Sequence, residues 1–125
     1  MDTHPEREEL VGCMKAGMLT VRDERLTLAA HRVVHGGAKL VQPCRITPKV
    51  VAGIEAVVPL APLHQPHCLA ALRAAAARWP DVPQIACFDT AFHATRSPVE
   101  QAYALPQPLR DAGVRRYGFH GLSYE

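Results

Sequence analysis

Seven histidines occur in a chain of 125 residues, and four of them stand in two pairs close enough to share a ligand. His31 and His35 are four residues apart, and His64 and His67 are three apart. On a helix either pair would stack on one face, as the zinc-binding His-Glu-x-x-His arrangement requires. Val33-Val34 inside the first pair favours a strand, which puts His31 and His35 on one face about 13 Å apart. Arg32 also occupies the place where a metalloprotease glutamate would stand. A metal held by protein ligands alone is therefore not expected. Nor is a serine nucleophile, because neither Ser97 nor Ser123 sits in a Gly-x-Ser-x-Gly elbow. No Gly-x-x-x-x-Gly-Lys-Ser/Thr phosphate loop is present either. Cys13, Cys44, Cys68 and Cys87 lie far apart with no Cys-x-x-Cys pair, which suits reduced thiols in a cytoplasm.

What remains is a set of polar residues embedded in short, stiff, glycine-flanked runs. These are His31-Arg32-Val33-Val34-His35-Gly36-Gly37, Ala61-Pro62-Leu63-His64, Phe88-Asp89-Thr90-Ala91-Phe92-His93 and Arg115-Arg116-Tyr117-Gly118-Phe119-His120-Gly121. By residue type alone, Arg32 reads as an ion-paired structural arginine, and His64 and His120 as loop histidines with ordinary partners. Asp89 reads as a turn cap, and Val34, Leu63 and Phe119 as core. His31, His35, His67 and His93 read as structural or supporting residues.

The elements that must hold these runs follow from the apolar spacing. Thr3-x-x-Glu6 resembles a capping box, with Gly17 as the helix stop and Arg22 to Arg25 as a solvated turn. Leu26 to Val34 reads as a strand broken by Gly36-Gly37. Thr47-Pro48 opens a helix whose stripe is Val50, Val51, Ile54, Val57 and Val58, ended by Pro59 and Pro62. A second helix runs from about Pro66 to Arg78 or Trp79, and Gln84 to Phe88 reads as a buried strand stopping at Asp89. Short helices are expected after Ser97-Pro98 and over Pro108 to Ala112, the latter capped by Gly113. Val114 to Tyr117 reads as a last strand. Strands alternating with helices imply an α/β class, and three polar runs fall where strands stop, the place where open α/β sheets gather ligands.

The composition is that of one folded domain, 48% hydrophobic and 21% charged. A net charge of +2 with no basic stripe argues against nucleic acid. The most apolar stretch, Val50 to Leu63, is shorter than the roughly 18 residues a membrane crossing needs, and the charged N-terminus does not resemble a signal peptide. The expected partner is a small molecule.

Taken together and in this order, the four polar runs resemble the acetate kinase family, with propionate and butyrate kinases as close relatives. The resemblance covers Ala30 to Ser123. It implies a partial actin/sugar-kinase-like (ribonuclease H-like) α/β domain, with residues 1–125 corresponding to most of the N-terminal half of such an enzyme. It also implies phosphoryl transfer from ATP, with Mg2+, to a short-chain carboxylate such as acetate, in a family of homodimers. By residue match, Arg32 grips carboxylate and phosphoryl oxygens, and His120 donates a hydrogen bond to the phosphoryl group. His64 stands near the substrate oxygens, and Asp89 serves a magnesium-linked or arginine-orienting role. Val34, Leu63 and Phe119 match the apolar pocket for the substrate's methyl end. The family's Asn-x-Gly-Ser-Ser-Ser-x-Lys run does not occur here, and nothing matches its nucleotide-binding C-terminal domain, so no activity is expected of these residues alone. The alternative is a non-catalytic remnant that binds a carboxylate or docks on a full-length kinase. Tyr124 stands where the family usually has histidine, Ala38-Lys39-Leu40 where Glu-Lys-Phe is frequent, and Gln65 where asparagine is usual.

Overall fold

The computed structural model describes residues 26–125. The expected first helix with its Gly17 stop, the Arg22 to Arg25 turn and Cys13 all lie outside the described residues. Strand β1 is Ala29–Val33, β2 is Cys44–Arg45 and β3 is Gln84–Phe88. They form one mixed sheet in the order β1-β3-β2, with β1 parallel and β2 antiparallel to β3. The register pairs Arg32 with Cys87 and Val33 with Phe88. Because β1 and β3 run the same way, both end on the same side of the sheet.

The period-two pattern of β3 sorts its side chains. Gln84, Ala86 and Phe88 are buried on one face, whereas Ile85 and Cys87 are only partly covered on the other. The buried face meets two helices, α1 (Pro48–Ala56) and α2 (Gln65–Arg78). Thr47 caps α1 by accepting the Val50 N–H at 3.3 Å, and Pro48 takes the first turn, where its missing donor costs nothing. The apolar stripe ends sooner than expected. Val57 closes α1, and Val58–Leu60 form a separate 3-10 turn. Val33, Ile54, Leu69, Leu72, Ala86 and Phe88 make the core between sheet and helices.

One element was not expected, and one expected strand is corrected. The two-residue β2 is too short to leave a periodic signal, and it is held by the Ile46 N–H to Gln84 O bond at 2.8 Å in addition to its pairing. Val114 to Tyr117 is not a strand. Its N–H groups bond to carbonyls of two short helices instead, Val114 N–H to Leu109 O at 3.2 Å and Arg116 N–H to Gln101 O at 2.7 Å. Between these segments stand α3 (Pro98–Gln101), opened by a full capping box between Ser97 and Glu100, and α4 (Gln107–Asp111). Gly113 follows α4 at φ +90°, the left-handed stop expected of it.

Candidate active site

Arg32 projects from the outer face of β1 and Asp89 follows β3 directly. The Asp89 N–H donates to Val33 O at 3.0 Å, which carries the parallel ladder one residue past β3 and fixes the aspartate beside the arginine. The Arg32 Nε donates to both Asp89 oxygens, at 3.1 and 3.0 Å, and Nη2 donates to Oδ2 at 2.5 Å. Asp89 is 1% exposed, whereas the Arg32 side chain is 53% exposed. One edge of the guanidinium is therefore locked against a sealed carboxylate while the rest faces outward. The bonds to Asp89 raise the Arg32 pKa, against a smaller opposing effect of burial. Among the described residues Nη1 carries no hydrogen bond, which leaves the two N–H donors of one oriented, cationic nitrogen open to an anion.

His120 completes this group. Its Nδ1 lies 3.5 Å from Arg32 Nη2. A guanidinium only donates, so Nδ1 is the acceptor and the neutral ring carries its proton on Nε2, free to donate elsewhere. The backbone of His120 is left-handed, at φ 55°, the one non-glycine of that kind among the described residues. Gly121 then donates its N–H to Asp89 O at 3.1 Å. A Cβ at Gly121 would lie 2.0 Å from that oxygen, so only glycine lets the loop approach the end of β3 this closely.

The matched residues are not equally close. Arg32, Asp89 and His120 converge. His64 is exposed at the N-terminus of α2, and no side-chain hydrogen bond ties it to them among the described residues. Val34 is half-buried, whereas Leu63 is 79% and Phe119 47% exposed, so these three do not close a pocket among the described residues. Phe119 meets the His35 ring edge-on at 5.8 Å.

Residue type alone did not single out the supports. Gln65 is fully buried and clamps the end of β1. Its Oε1 accepts the His35 N–H at 3.2 Å, and its Nε2 donates to His35 O at 2.6 Å. This amide ties the start of α2, and with it His64, to the strand that carries Arg32. Thr90 Oγ1 accepts the Gly36 N–H at 3.0 Å and joins the segments after β1 and β3. The only visible sign of Gln65 was its place next to His64, and Thr90 gave no sign beyond its run.

The first histidine pair, His31 and His35, is otherwise engaged. His31 Nε2 lies 2.7 Å from Gln84 Oε1, and buried His35 accepts the Gly37 N–H on Nδ1 at 2.9 Å. Burial lowers the pKa of both rings, with the Gln84 bond partly offsetting this at His31. No three His, Cys, Asp or Glu side chains converge as a metal site among the described residues. No helix among them is long and apolar enough to cross a membrane.

The Acetokinase family matches residues 3–125. The acetate kinase of Rhodopseudomonas palustris is 56% identical over 106 residues, which is 85% of this chain and 27% of that protein. That of Rhizobium meliloti is 51% identical over 108 residues, 86% of this chain and 28% of the relative. The chain thus spans about a quarter of the length of the curated relatives it matches. Among solved structures, the acetate kinase of Porphyromonas gingivalis superposes with a TM-score of 0.79 at 38% identity, covering 99% of this chain and 32% of that one. A propionate kinase from Francisella tularensis gives 0.77 at 34% identity, covering 94% and 29%. With its mixed sheet, its packed helices and its four polar runs in order, the chain belongs to the Acetokinase family.

Proposed function

We propose that these residues form the acyl side of a cytoplasmic phosphotransferase, the side that holds a short-chain carboxylate such as acetate against the phosphoryl group exchanged with ATP. In this reading they correspond to most of the N-terminal half of an acetate kinase. The observation that carries it is the Arg32 guanidinium, oriented by Asp89 along one edge and open along the other beside His120.

The chemistry asks for little more than this. A short-chain carboxylate has a pKa near about 4 to 5 and is already ionised at neutral pH, so no general base is required. The site must hold two anions together and stabilise charge on the phosphoryl oxygens. Arg32 Nη1 offers two N–H donors, one for each anion, and His120 offers Nε2–H. Asp89 cannot act as a base, because both its oxygens bond to Arg32 and it is sealed from solvent. Its role is to orient the arginine. His64 supplies a second imidazole at the rim, and Val34, Leu63 and Phe119 supply apolar surface for the methyl end. Such surface separates acids differing by one methylene by only about 1 to 3 kcal/mol.

Mg2+ supplies charge neutralisation at the phosphates in phosphoryl transfer. The donor set here does not fit it, since the one carboxylate of the group is spent on Arg32. The family's phosphate-binding run is also absent from these 125 residues. We therefore expect binding without turnover. Calorimetry should show heat with acetyl phosphate that is lost in Arg32→Ala and reduced in His120→Ala. No heat with acetate, propionate or acetyl phosphate would overturn the reading. In a hydroxamate assay with acetate and MgATP, product above the Arg32→Ala background would refute the absence of turnover.

A further inference from the structure

His93 has no part in the reaction described above, yet the loop that carries His120 is folded around its ring. Nε2 lies 2.8 Å from Phe119 O. A carbonyl only accepts, so Nε2 holds the proton and donates it. A Cβ on Gly118 would fall 2.6 Å from the ring's Cγ and 2.7 Å from Cδ2, so the backbone passes directly against the imidazole. Phe92 meets the ring at 5.3 Å and Tyr124 at 6.1 Å, both edge-on. Arg96, three residues on, donates from Nη2 to Tyr117 O at 3.0 Å. The half-buried ring is thereby flanked on several sides, and its N–H donor is aimed at the peptide that precedes His120.

That peptide needs an anchor. Left-handed backbone is uncommon for any residue but glycine, and histidine, though it enters this region more readily than most, still gains from being held there. It persists only where neighbouring contacts over-determine it. On the far side of His120 the anchor is the Gly121 N–H to Asp89 O bond. On the near side it is His93.

We propose that His93 is a positioning residue for His120. By donating Nε2–H to Phe119 O, it holds the left-handed backbone that aims His120 Nδ1 at Arg32 and leaves His120 Nε2–H facing the substrate. The last clause rests on the function proposed above, whereas the backbone claim does not.

The test uses isotopically labelled 125-residue protein. His93→Phe keeps the ring and removes the donor, and His93→Gln returns an N–H of similar reach. The carbon shifts and couplings of the His120 backbone report its left-handed conformation. Acetyl phosphate affinity is measured for wild type, His93→Phe, His120→Ala and the double variant. We expect His93→Phe to lose the left-handed signature and to bind about tenfold more weakly, the effect of one lost net hydrogen bond. His93→Gln should recover most of both, and His93→Phe should add no loss on top of His120→Ala. A left-handed His120 in His93→Phe, or a full further loss in the double variant, would overturn the proposal. Should His93→Phe fail to fold, the nitrogen shifts of wild-type His93 decide instead, and an Nδ1–H tautomer at pH 7 refutes it. Absent acetyl phosphate binding by the wild type would sink the function proposed above, while the His120 backbone still decides the role of His93.

Discussion

Replacing Arg32 with alanine strands a carboxylate. Asp89 is 1% exposed, and its two oxygens take three contacts from the guanidinium, at 2.5 to 3.1 Å. Removing one partner of a fully buried pair costs about 3–5 kcal/mol, whereas an exposed pair is worth about 0–1 kcal/mol. This pair is mixed, since the Arg32 side chain is 53% exposed and its charge is partly screened by water. Most of the penalty comes from the aspartate left behind, which puts the expected loss at about 2 kcal/mol. For a domain of this size that corresponds to a fall in Tm of roughly 8 °C. Arg32→Lys keeps the charge but replaces the fork by a single donor, so it should fall between wild type and alanine. Thermal unfolding followed by circular dichroism at pH 7, with urea unfolding for the free energies, reads all three. An Arg32→Ala protein melting within 2 °C of wild type would refute the reasoning, because it would mean that Asp89 needs no cation to stay buried and charged.

Two further predictions follow from residues around the site. His31 and His35 have pKa values below the ordinary 6.5 because burial disfavours their charged forms. The unfolded chain therefore binds more protons than the folded one below that value, so their contribution to stability is complete above pH 6.5 and is lost as pH falls beneath it. Tm should drop between pH 7 and pH 5, less steeply in His35→Gln, and a flat profile would contradict the assignment. Gly121→Ala places a methyl 2.0 Å from Asp89 O and 2.5 Å from Phe92 Cβ. It should cost about 3 kcal/mol in urea unfolding, the upper range for overpacking, and an unchanged midpoint would show that the loop yields freely.

The sequence was most legible where one physical rule acted alone. Gln84 to Phe88 is bounded by proline on one side and a polar run on the other, and the strand has those limits. Thr47-Pro48 and Ser97-Pro98 open helices because a hydroxyl cap followed by proline satisfies the first turn. Reading failed where tertiary contacts overrode local preference. Val114 to Tyr117 is β-prone, but Gln101 and Leu109 take its backbone groups, and Arg96 takes the Tyr117 carbonyl. Of the candidate site, Arg32, Asp89 and His120 came from motifs whose contacts the fold then supplied. The clamping roles of Gln65, Thr90 and His93 could not be seen beforehand, because each depends on which backbone atom lies across a gap of many residues.

The distance along the chain between Arg32 and Asp89 has a consequence for how this protein is made. The two are separated by 57 residues, and both helices of the core lie between them. Closing so long a loop costs entropy before any contact repays it, so the pair forms only once β1 and β3 have aligned across the packed helices. The anion binding proposed for Arg32 would therefore require the completed sheet. A nascent or half-collapsed chain has the residues but not the oriented guanidinium, so a ligand of the proposed kind would stabilise only the native chain.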